Sequence, residues 1–537
     1  MGHSLNKNLF AIPFVSRVKP LDWKLLVFLI LFVNVKLFVK LAAILLIYLL
    51  RPHAKAGFSW KDTRLPLFYP AMMAIAIINW VLQKGFLQMD TSILLLAALF
   101  YWALCILAIH QVKLSVERQD TETLHRTIAV FFVVNLLVSF IMYAYIVGQT
   151  GTLNPYRYQG DFQKYFIGTG DYIKGLSFDT STTNAVLNAF GVLYFLQRNK
   201  YLLAIGCMAA LLLTGSNLMN LLLGGVLLYL FIFKTAKAQK SVILVCLLVM
   251  VVFWAKVSPQ NNRYITEAIG RFSKKSVEKK TGNTMPLLPL QERPDSLLSN
   301  DERKEKQARL YLDSMRDLLL AKSNKLAIAT EKPLLPQDNI HSDSFQHRND
   351  TTGKQRQLIQ WMQHDSVGLV QSSIYTKPGK WVALQQVLQF VRTHPMVAFT
   401  GAGAGHFSSK LAFRATGLNI AGSYPARFAY IDPRFKEGHL ALYLYYFTKT
   451  AGLHSLTNSP NTVYGQVLSE YGLLGILALF ILYGGFFAKQ YKKMTYGIPL
   501  LMLMAGVFFI DYWFEQLSVM VVWELLLLLN IKEGTRP

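Results

Sequence analysis

The sequence predicts an all-α polytopic membrane protein, and three observations carry that prediction: long apolar blocks, few charged residues, and an uneven distribution of Lys and Arg. Charged residues make up 16% of the 537 residues, whereas a soluble domain carries about 25%. Apolar runs of roughly 18 residues match the ~30 Å hydrocarbon core of a bilayer when they are helical. The ~10-residue alternation typical of barrel strands is not found, so the spans are predicted to be helices.

Eleven apolar spans can be recognised along the chain. Eleven spans would place the N-terminus outside, although it carries Lys7, Arg17, Lys19 and Lys24. Either the first span, which contains Lys36 and Lys40, conceals a second, short crossing, or the N-terminal charges are overruled; we expect twelve crossings. The spans lie at about residues 24–50, 66–83, 91–110, 127–148, 182–197, 201–214, 216–234, 241–257, 464–488, 496–512 and 515–531.

The Lys and Arg residues fall mainly in the loops that follow odd-numbered spans. Short cytoplasmic loops collect these residues, so the pattern places these loops and the C-terminus in the cytoplasm. It places the loop at 149–181 and the long segment at 258–463 outside. The Lys/Arg-rich loops are 51–65, 111–126, 198–200, 234–240 and 489–493, whereas the other short loops contain only Lys84.

The net charge of +25 indicates an anionic partner. No nucleic-acid-binding motif accompanies it, which favours anionic lipid head groups or a diphosphate over nucleic acid. Composition divides the chain into four regions. These are an N-terminal transmembrane bundle (1–257), a polar, proline-punctuated insertion (258–376), a loop region rich in aromatic and basic residues (377–463), and C-terminal transmembrane helices (464–537).

The region 377–463 contains the best candidates for a functional site. Between residues 381 and 463 only Asp432 and Glu437 oppose seven basic residues. Arg and Lys can neutralise a diphosphate, and aromatic faces can stack on sugars. An ordinary aromatic-rich domain with a solvated basic face would give the same composition, as would a surface that contacts lipid head groups. The basic residues are Arg392, Lys410, Arg414, Arg427, Arg434, Lys436 and Lys449.

Two further motifs flank this region. The segment Gly401–Gly405 is rich in glycine but has neither a phosphate-binding Lys nor a βαβ frame, so a tightly packed turn is the commoner explanation. The polar stretch before residue 464 leads into an apolar helix that Asn458 or Ser459 could cap. Glu470 lies within that helix, where a carboxylate is costly unless it is paired or faces a cavity.

Taken in order, these motifs resemble those of O-antigen ligases and related polymerases. That family has a Pro-His-Asn motif, nine residues, and then Gly-x-x-Gly; here Pro460-Asn461-Thr462 is followed by nine residues and Gly472-Leu473-Leu474-Gly475. The family also has a Trp, a helix, a Pro and Gly-x-Gly-x-Gly, which match Trp381, Pro395 and Gly401–Gly405. A Ser-Arg motif that starts a family helix corresponds to Ser216-Asn217.

The resemblance implies a GT-C-like architecture in the bacterial inner membrane, with a large periplasmic loop domain between late spans. The implied reaction transfers a glycan from a polyprenyl diphosphate carrier to an acceptor hydroxyl, without a metal or another cofactor. The acceptor could be lipid A core (ligase), a growing polysaccharide (polymerase) or a protein. The chain departs from the family at three positions: Asn461 replaces the His, Asn217 replaces the membrane Arg, and Lys377 replaces the loop Arg.

The resemblance and the charge pattern together give the candidate site residues. Asn461 stands at the catalytic position, and His454 and Glu470 are candidates for activating the acceptor. Asn458, Tyr464 and Asn217 are expected to contact substrate. The expected contacts to the diphosphate are Lys377, Lys380, Arg414, Arg427 and Arg434.

Two other classes of function remain open at this point. A transporter or flippase for a lipid-linked glycan would need charged groups within the bundle. A non-catalytic component of polysaccharide export would need none of the proposed chemistry. The charged residues in or beside spans are Lys36, Lys40, Asp511, Glu515 and Glu524.

Overall fold

The structure of the protein, a computed structural model, describes residues 21–50, 65–154, 172–233, 236–257, 378–416, 429–440, 442–443, 459–489 and 491–535. Within these ranges the regular structure is helical and contains no strand. Four apolar helical stretches in them are long enough to cross a membrane, namely Met89–Arg118, Thr121–Thr150, Lys237–Val257 and Val463–Lys493. The prediction of an all-helical chain with membrane-spanning helices is therefore confirmed for the described residues.

The helices of the N-terminal half follow the predicted spans closely. They are α1 (Trp23–Val33), α2 (Leu37–Leu50), α3 (Phe68–Leu82), α4 (Met89–Arg118), α5 (Thr121–Thr150), α6 (Ser181–Gln197), α7 (Tyr201–Leu213), α8 (Asn217–Phe233) and α9 (Lys237–Val252). A π-helical turn extends α9 over Phe253–Val257.

The described part of the C-terminal half mixes short loop helices with apolar ones. These helices are α10 (Gly379–Thr393), α11 (Pro395–Thr400), α12 (Lys410–Ala415), α13 (Pro433–Phe435), α14 (Val463–Leu477), α15 (Gly485–Ala488), α16 (Gly497–Val507), α17 (Trp513–Gln516) and α18 (Ser518–Thr535). A π-helical stretch, Ala478–Gly484, joins α14 to α15.

Side-chain caps fix where several of these helices begin. The Asp22 carboxylate accepts a hydrogen bond from Leu25 N at the start of α1 (3.1 Å). At the start of α14, Thr462 Oγ1 accepts from Gly465 N (2.9 Å). Such caps satisfy backbone donors that have no partner inside the helix. The expectation that Asn458 or Ser459 caps α14 is wrong, because the helix begins later and Thr462 supplies the cap.

The long first span is broken into two helices. Asn34 Oδ1 accepts from Lys36 N (3.0 Å) in the turn between them, and Val35 N donates to Ser177 O (2.8 Å). Lys24 Nζ donates to Leu50 O (2.9 Å), so the hairpin brings the chain back to the end of the bundle at which α1 starts. Each helix is shorter than the ~20 residues of a full crossing, and twelve crossings remain a prediction.

Contacts between loops define one end of the bundle. Lys532 Nζ, near the end of α18, donates to the carbonyls of Val116 and Gln119, both at 2.5 Å. Arg198, which follows α6, pairs with Glu533 at 3.3 Å. The α4–α5 loop, the α6–α7 loop and the C-terminal helix therefore meet at one end. All belong to the Lys/Arg-rich group recognised in the sequence.

A second group of loops meets at the opposite ends of these helices. Asn79, near the end of α3, donates from Nδ2 to the carbonyls of Thr400 and Gly401 at 2.6 and 2.5 Å. Lys380 Nζ donates to Ile510 O, beyond the end of α16 (3.0 Å). These segments belong to the loops that are poor in Lys and Arg or to the long segment 258–463. The contacts thus group the loops as the charge pattern does.

The charge pattern predicts that the Lys/Arg-rich end faces the cytoplasm and that the other end faces the periplasm, and labelling tests this prediction. Cysteine introduced by Lys237→Cys should resist a membrane-impermeant thiol reagent in intact cells, whereas Phe345→Cys should react. The native Cys105, Cys207 and Cys246 are buried and would be replaced first by Ala. Labelling of residue 237 in intact cells would contradict the orientation derived from the positive-inside pattern.

Candidate functional site

The glycine-rich segment, residues 400–408, packs directly on the backbone of α14. Ala402 N donates to Ser469 O at 2.8 Å and Gly403 N donates to Glu470 O at 3.1 Å. A Cβ atom at Gly401 (φ +84°) would lie 2.2 Å from the backbone carbon of Glu470. Only glycine permits this approach and this conformation.

The same contact explains the glycine within α14. Gly472 has φ 65° and ψ −161°, so the helix is kinked there. A Cβ at Gly472 would lie 2.4 Å from Phe399 O and 2.6 Å from Gly401 N. Glycines that are distant in sequence, Gly401 and Gly472, are therefore two halves of one backbone-to-backbone contact.

Glu470 holds the glycine-rich segment in place. Its Oε2 accepts from Gly405 N at 2.8 Å, and its Oε1 accepts from Phe407 N at 3.1 Å and Ser408 N at 3.0 Å. The side chain is 1% exposed, so its charge is compensated by oriented backbone amides. The amides that could have cradled a phosphate face this carboxylate. The geometry favours an anchoring role for Glu470, and its part in activating the acceptor stays a prediction.

Beside this contact lies a group of charged and amide side chains, which we call the polar cluster. Its acidic members each accept several hydrogen bonds. Glu515 accepts from Gln466 Nε2 at 2.6 Å and from Leu411 N at 3.0 Å. The cluster consists of Lys380, Lys410, Arg414, Asn461, Gln466, Asp511, Glu515 and Gln516.

Asp511 connects the motif residue Asn461 to the C-terminal helices. Its Oδ1 accepts from Tyr512 N at 2.7 Å and from Asn461 Nδ2 at 3.4 Å, and its Oδ2 accepts from Gln516 Nε2. Lys380 Nζ donates to Asn461 O at 2.7 Å. The backbone and the side chain of Asn461 are thereby fixed against α10 and the α16–α17 connection.

The three cations of the cluster have different surroundings. Lys380 is bound to two carbonyl oxygens, and burial lowers its pKa to about 7 although Asp511 opposes the shift. Arg414 Nη1 donates to Tyr101 OH at 3.0 Å. The Lys410 ammonium makes no hydrogen bond or ion pair with any residue that the structure describes, although the charges of Asp179, Asp511 and Glu515 act on it. Burial, reinforced by the charge of Arg414, lowers the pKa of Lys410.

Several polar atoms in and beside the cluster are buried and have no hydrogen-bond partner among the described residues. Leaving one such atom unsatisfied costs about 1–3 kcal/mol, so water or a polar ligand is expected to satisfy these atoms. With the cations, they could hold an anionic group and orient hydroxyls around it. They are Arg414 Nε, Asn461 Oδ1, Gln466 Oε1 and Gln516 Oε1.

The structure therefore brings together three of the residues selected from the sequence: Lys380, Arg414 and Asn461. Glu470 lies behind them on α14. Lys410 was counted only as one of several basic residues, and Asp511 and Glu515 only as charges beside spans. No sequence signal connects these positions, since the approach of α12 to α17 brings them together. His454, Asn458, Lys377 and Arg427 lie outside the described residues.

Three other selected residues lie elsewhere. Arg434 forms a bidentate pair with Asp432, with Nε–Oδ1 at 2.9 Å and Nη2–Oδ2 at 2.8 Å. Tyr464 OH donates to Ala505 O at 2.9 Å, and its ring packs against Phe480 and Phe509; its contact with substrate stays a prediction. Asn217 begins α8, and its Oδ1 is buried without a hydrogen-bond partner in the described part of the chain.

The chain was compared with protein-family models, with curated proteins and with solved structures, and none of them matches it.

Proposed function

We propose that the chain is a glycosyltransferase like the O-antigen ligases and polymerases, with a GT-C-like architecture, in the inner membrane of a bacterium. It would transfer a glycan from a polyprenyl diphosphate carrier to a hydroxyl of lipid A core, a growing polysaccharide or a protein. The reaction would take place at the periplasmic face, on the region 377–463.

The observation that supports the proposal most is the meeting of two segments on which the resemblance depends. Lys380, beside Trp381 at the start of α10, donates to the carbonyl of Asn461. Gly401 packs against the backbone between Glu470 and Gly472. Segments 81 residues apart at the first contact and about 70 apart at the second thus form one site. The third segment, around Asn217, does not contribute to this support.

The cluster's charges suit the departure of a diphosphate. As the glycosidic bond to the carrier breaks, negative charge grows on the leaving diphosphate, and fixed cations stabilise that transition state more than the ground state. Lys410 and Arg414 are proposed for this role, because Lys410 is unpaired among the described residues and Arg414 keeps Nε without a partner. Arg434 is less suited, since Asp432 already neutralises its charge.

The acceptor hydroxyl needs a base, and Asn461 cannot be one at neutral pH. Asp511 is the proposed base, because its carboxylate lies next to Asn461 and within the polar cluster. Asn461 would then position the carboxylate. We expect Asp511→Asn to lower turnover about 10²–10⁴-fold, the usual contribution of a positioned base.

Glycan transfer from a polyprenyl-diphosphate donor by the purified protein measures this effect. The matched control is Glu117→Gln, an acid that pairs with Lys113 near the other end of the bundle and whose loss should not affect turnover. Near-normal turnover of Asp511→Asn would show that another residue is the base, and His454 is the next candidate.

A deletion strain distinguishes the versions of the proposal. Undecorated lipid A core would identify a ligase, and caps of a single repeat would identify a polymerase. Unchanged lipid-linked and surface glycans, together with the absence of transfer by the purified protein, would contradict the proposal and favour a non-catalytic component of export.

The competing transporter function depends on charges inside the bundle. Lys40 Nζ donates to Phe32 O and Ser518 Oγ, both at 2.6 Å. Glu524 accepts from the hydroxyls of Tyr69 and Tyr483. Both charged groups are buried and held by neighbouring helices, as expected of fixed structural groups. This arrangement favours the transferase over a transporter whose ion site must open and close.

A further inference from the structure

A cavity of about 320 Å³ lies beside the glycine-rich segment. The end of α3, the start of α4, residues 402–406 and residues 430–434 enclose it. Its volume is at the lower end of the range for small-molecule sites, about 300–1,000 Å³. The residues that determine its chemistry are Trp80, Gln83, Gln88, His406, Tyr430 and the Asp432–Arg434 pair.

The charged groups of the cavity cancel one another. Arg434 is paired with Asp432 through two side-chain hydrogen bonds. Burial alone would raise the pKa of Asp432, but its bonds to Arg434 hold that pKa below the ordinary value, so both stay ionised. Burial lowers the pKa of His406, which keeps the imidazole neutral at pH 7. The cavity has no net charge, and this argues against an anionic ligand.

The uncharged groups suit a sugar. The rings of Trp80 and Tyr430 are half-buried and can stack on the apolar face of a pyranose, while Trp80 Nε1 is buried without a hydrogen-bond partner among the described residues. His406 Nδ1 contacts Ala404 O at 2.9 Å. A neutral ring that donates there leaves Nε2 as an acceptor for a hydroxyl.

The mouth of the cavity is polar. Gln83 and Gln88 are exposed and carry amide groups that can both donate and accept. Gln83 is oriented by its contacts to Gly401 O (3.1 Å) and to the guanidinium of Arg434 (3.4 Å). A ligand that enters would meet amides first and the aromatic rings and His406 deeper inside.

We propose that this cavity binds one or two neutral pyranose residues of a glycan. The inference rests on the proposed function only for the identity of that glycan, which would be the acceptor or the sugar chain of the donor. Binding itself depends on the cavity's neutral charge, its aromatic rings and its amides.

The test is ligand-observed NMR on the full-length protein in lipid nanodiscs. The probes are lactose, maltose, chitobiose, the oligosaccharide released from the strain's own lipid-linked glycan, and inorganic phosphate. At least one sugar should bind, and phosphate should not compete with it. Trp80→Leu should raise the Kd of that sugar about tenfold or more, and Gln88→Ala should raise it less. Trp23→Leu, at an exposed tryptophan outside the cavity, should leave the Kd unchanged.

A second variant tests the charge argument. Asp432→Asn leaves the Arg434 charge unpaired, so it should weaken sugar binding and allow phosphate to bind. Failure of every sugar to bind the unaltered protein would overturn the proposal. Competition by phosphate for the sugar site of the unaltered protein would also overturn it, as would equal Kd values for Trp80→Leu and Trp23→Leu.

Adding the polyprenyl-diphosphate-linked glycan distinguishes the two sources of the sugar. Displacement of the bound probe would assign the cavity to the donor, and simultaneous binding would assign it to the acceptor. Sugar binding without glycan transfer would leave the cavity assignment standing and contradict the proposed function. Normal glycan transfer by Trp80→Leu, together with unchanged sugar affinity, would contradict the cavity assignment and leave the proposed function standing.

Discussion

Gly472→Ala is expected to separate the glycine-rich segment from α14 and to destabilise the folded protein. The new Cβ would lie 2.4 Å from Phe399 O, which is a backbone atom. The backbone at Gly472, with φ 65° and ψ −161°, is also one that only glycine adopts without strain. A strained backbone costs about 1–3 kcal/mol, and overpacking costs typically about 1–3 kcal/mol more.

The measurement is thermal unfolding of the purified protein in detergent, together with binding or turnover. The control is Gly225→Ala, since a Cβ at Gly225 on α8 meets nothing within 4 Å. Alanine is the better helix former there, so Gly225→Ala should be neutral or slightly stabilising. Equal unfolding midpoints for the two variants would show that α14 and the glycine-rich segment do not require this contact.

The helices were predictable from the sequence because apolar length and Lys/Arg distribution are local properties. The break near Lys36 was also indicated, since the basic N-terminus required one more crossing within the first span. The exact first residue of a helix was harder to predict. Asn458, Ser459 and Thr462 are all good caps by residue type, and no residue pattern decides among them.

The site was predictable only where a motif marked it. Asn461 and Lys380 were found through their neighbours Pro460 and Trp381, and Glu470 because a carboxylate in an apolar helix needs a partner. The partners of Glu470 are backbone amides, which no residue pattern predicts. Lys410 resembled the other basic residues until the structure placed it within the polar cluster.

Arg434 illustrates the opposite case. Its basic side chain and its aromatic neighbours made it a candidate for the diphosphate, but Asp432, two residues earlier, neutralises it. The Asp-Pro-Arg order contains this information, since an Asp before Pro commonly caps a helical turn and here holds the guanidinium as well. Counting charges over 80 residues obscured a local pair.

Loss of Lys410 or of Arg414 is expected to slow glycan transfer strongly. Removal of one preorganised group that stabilises charge in the transition state typically costs about 10²–10³ in rate, and we expect this for Lys410→Ala and for Arg414→Ala. Arg414→Lys should restore activity only in part, because a lysine ammonium cannot reproduce the guanidinium's planar set of donors. Its present bond to Tyr101 OH would also be lost or lengthened.

Arg392→Ala is the matched control, since this arginine is exposed at the end of α10 and should tolerate the change.

Arg434→Ala distinguishes the polar cluster from the cavity. It should affect the turnover of the diphosphate step less than Arg414→Ala does, while it leaves Asp432 unpaired in the cavity and weakens sugar binding. Turnover with a saturating polyprenyl-diphosphate donor measures the first effect, and the acceptor or sugar affinity measures the second. Near-normal turnover in both Lys410→Ala and Arg414→Ala would mean that the polar cluster does not stabilise a leaving diphosphate, and the mechanism would have to be abandoned.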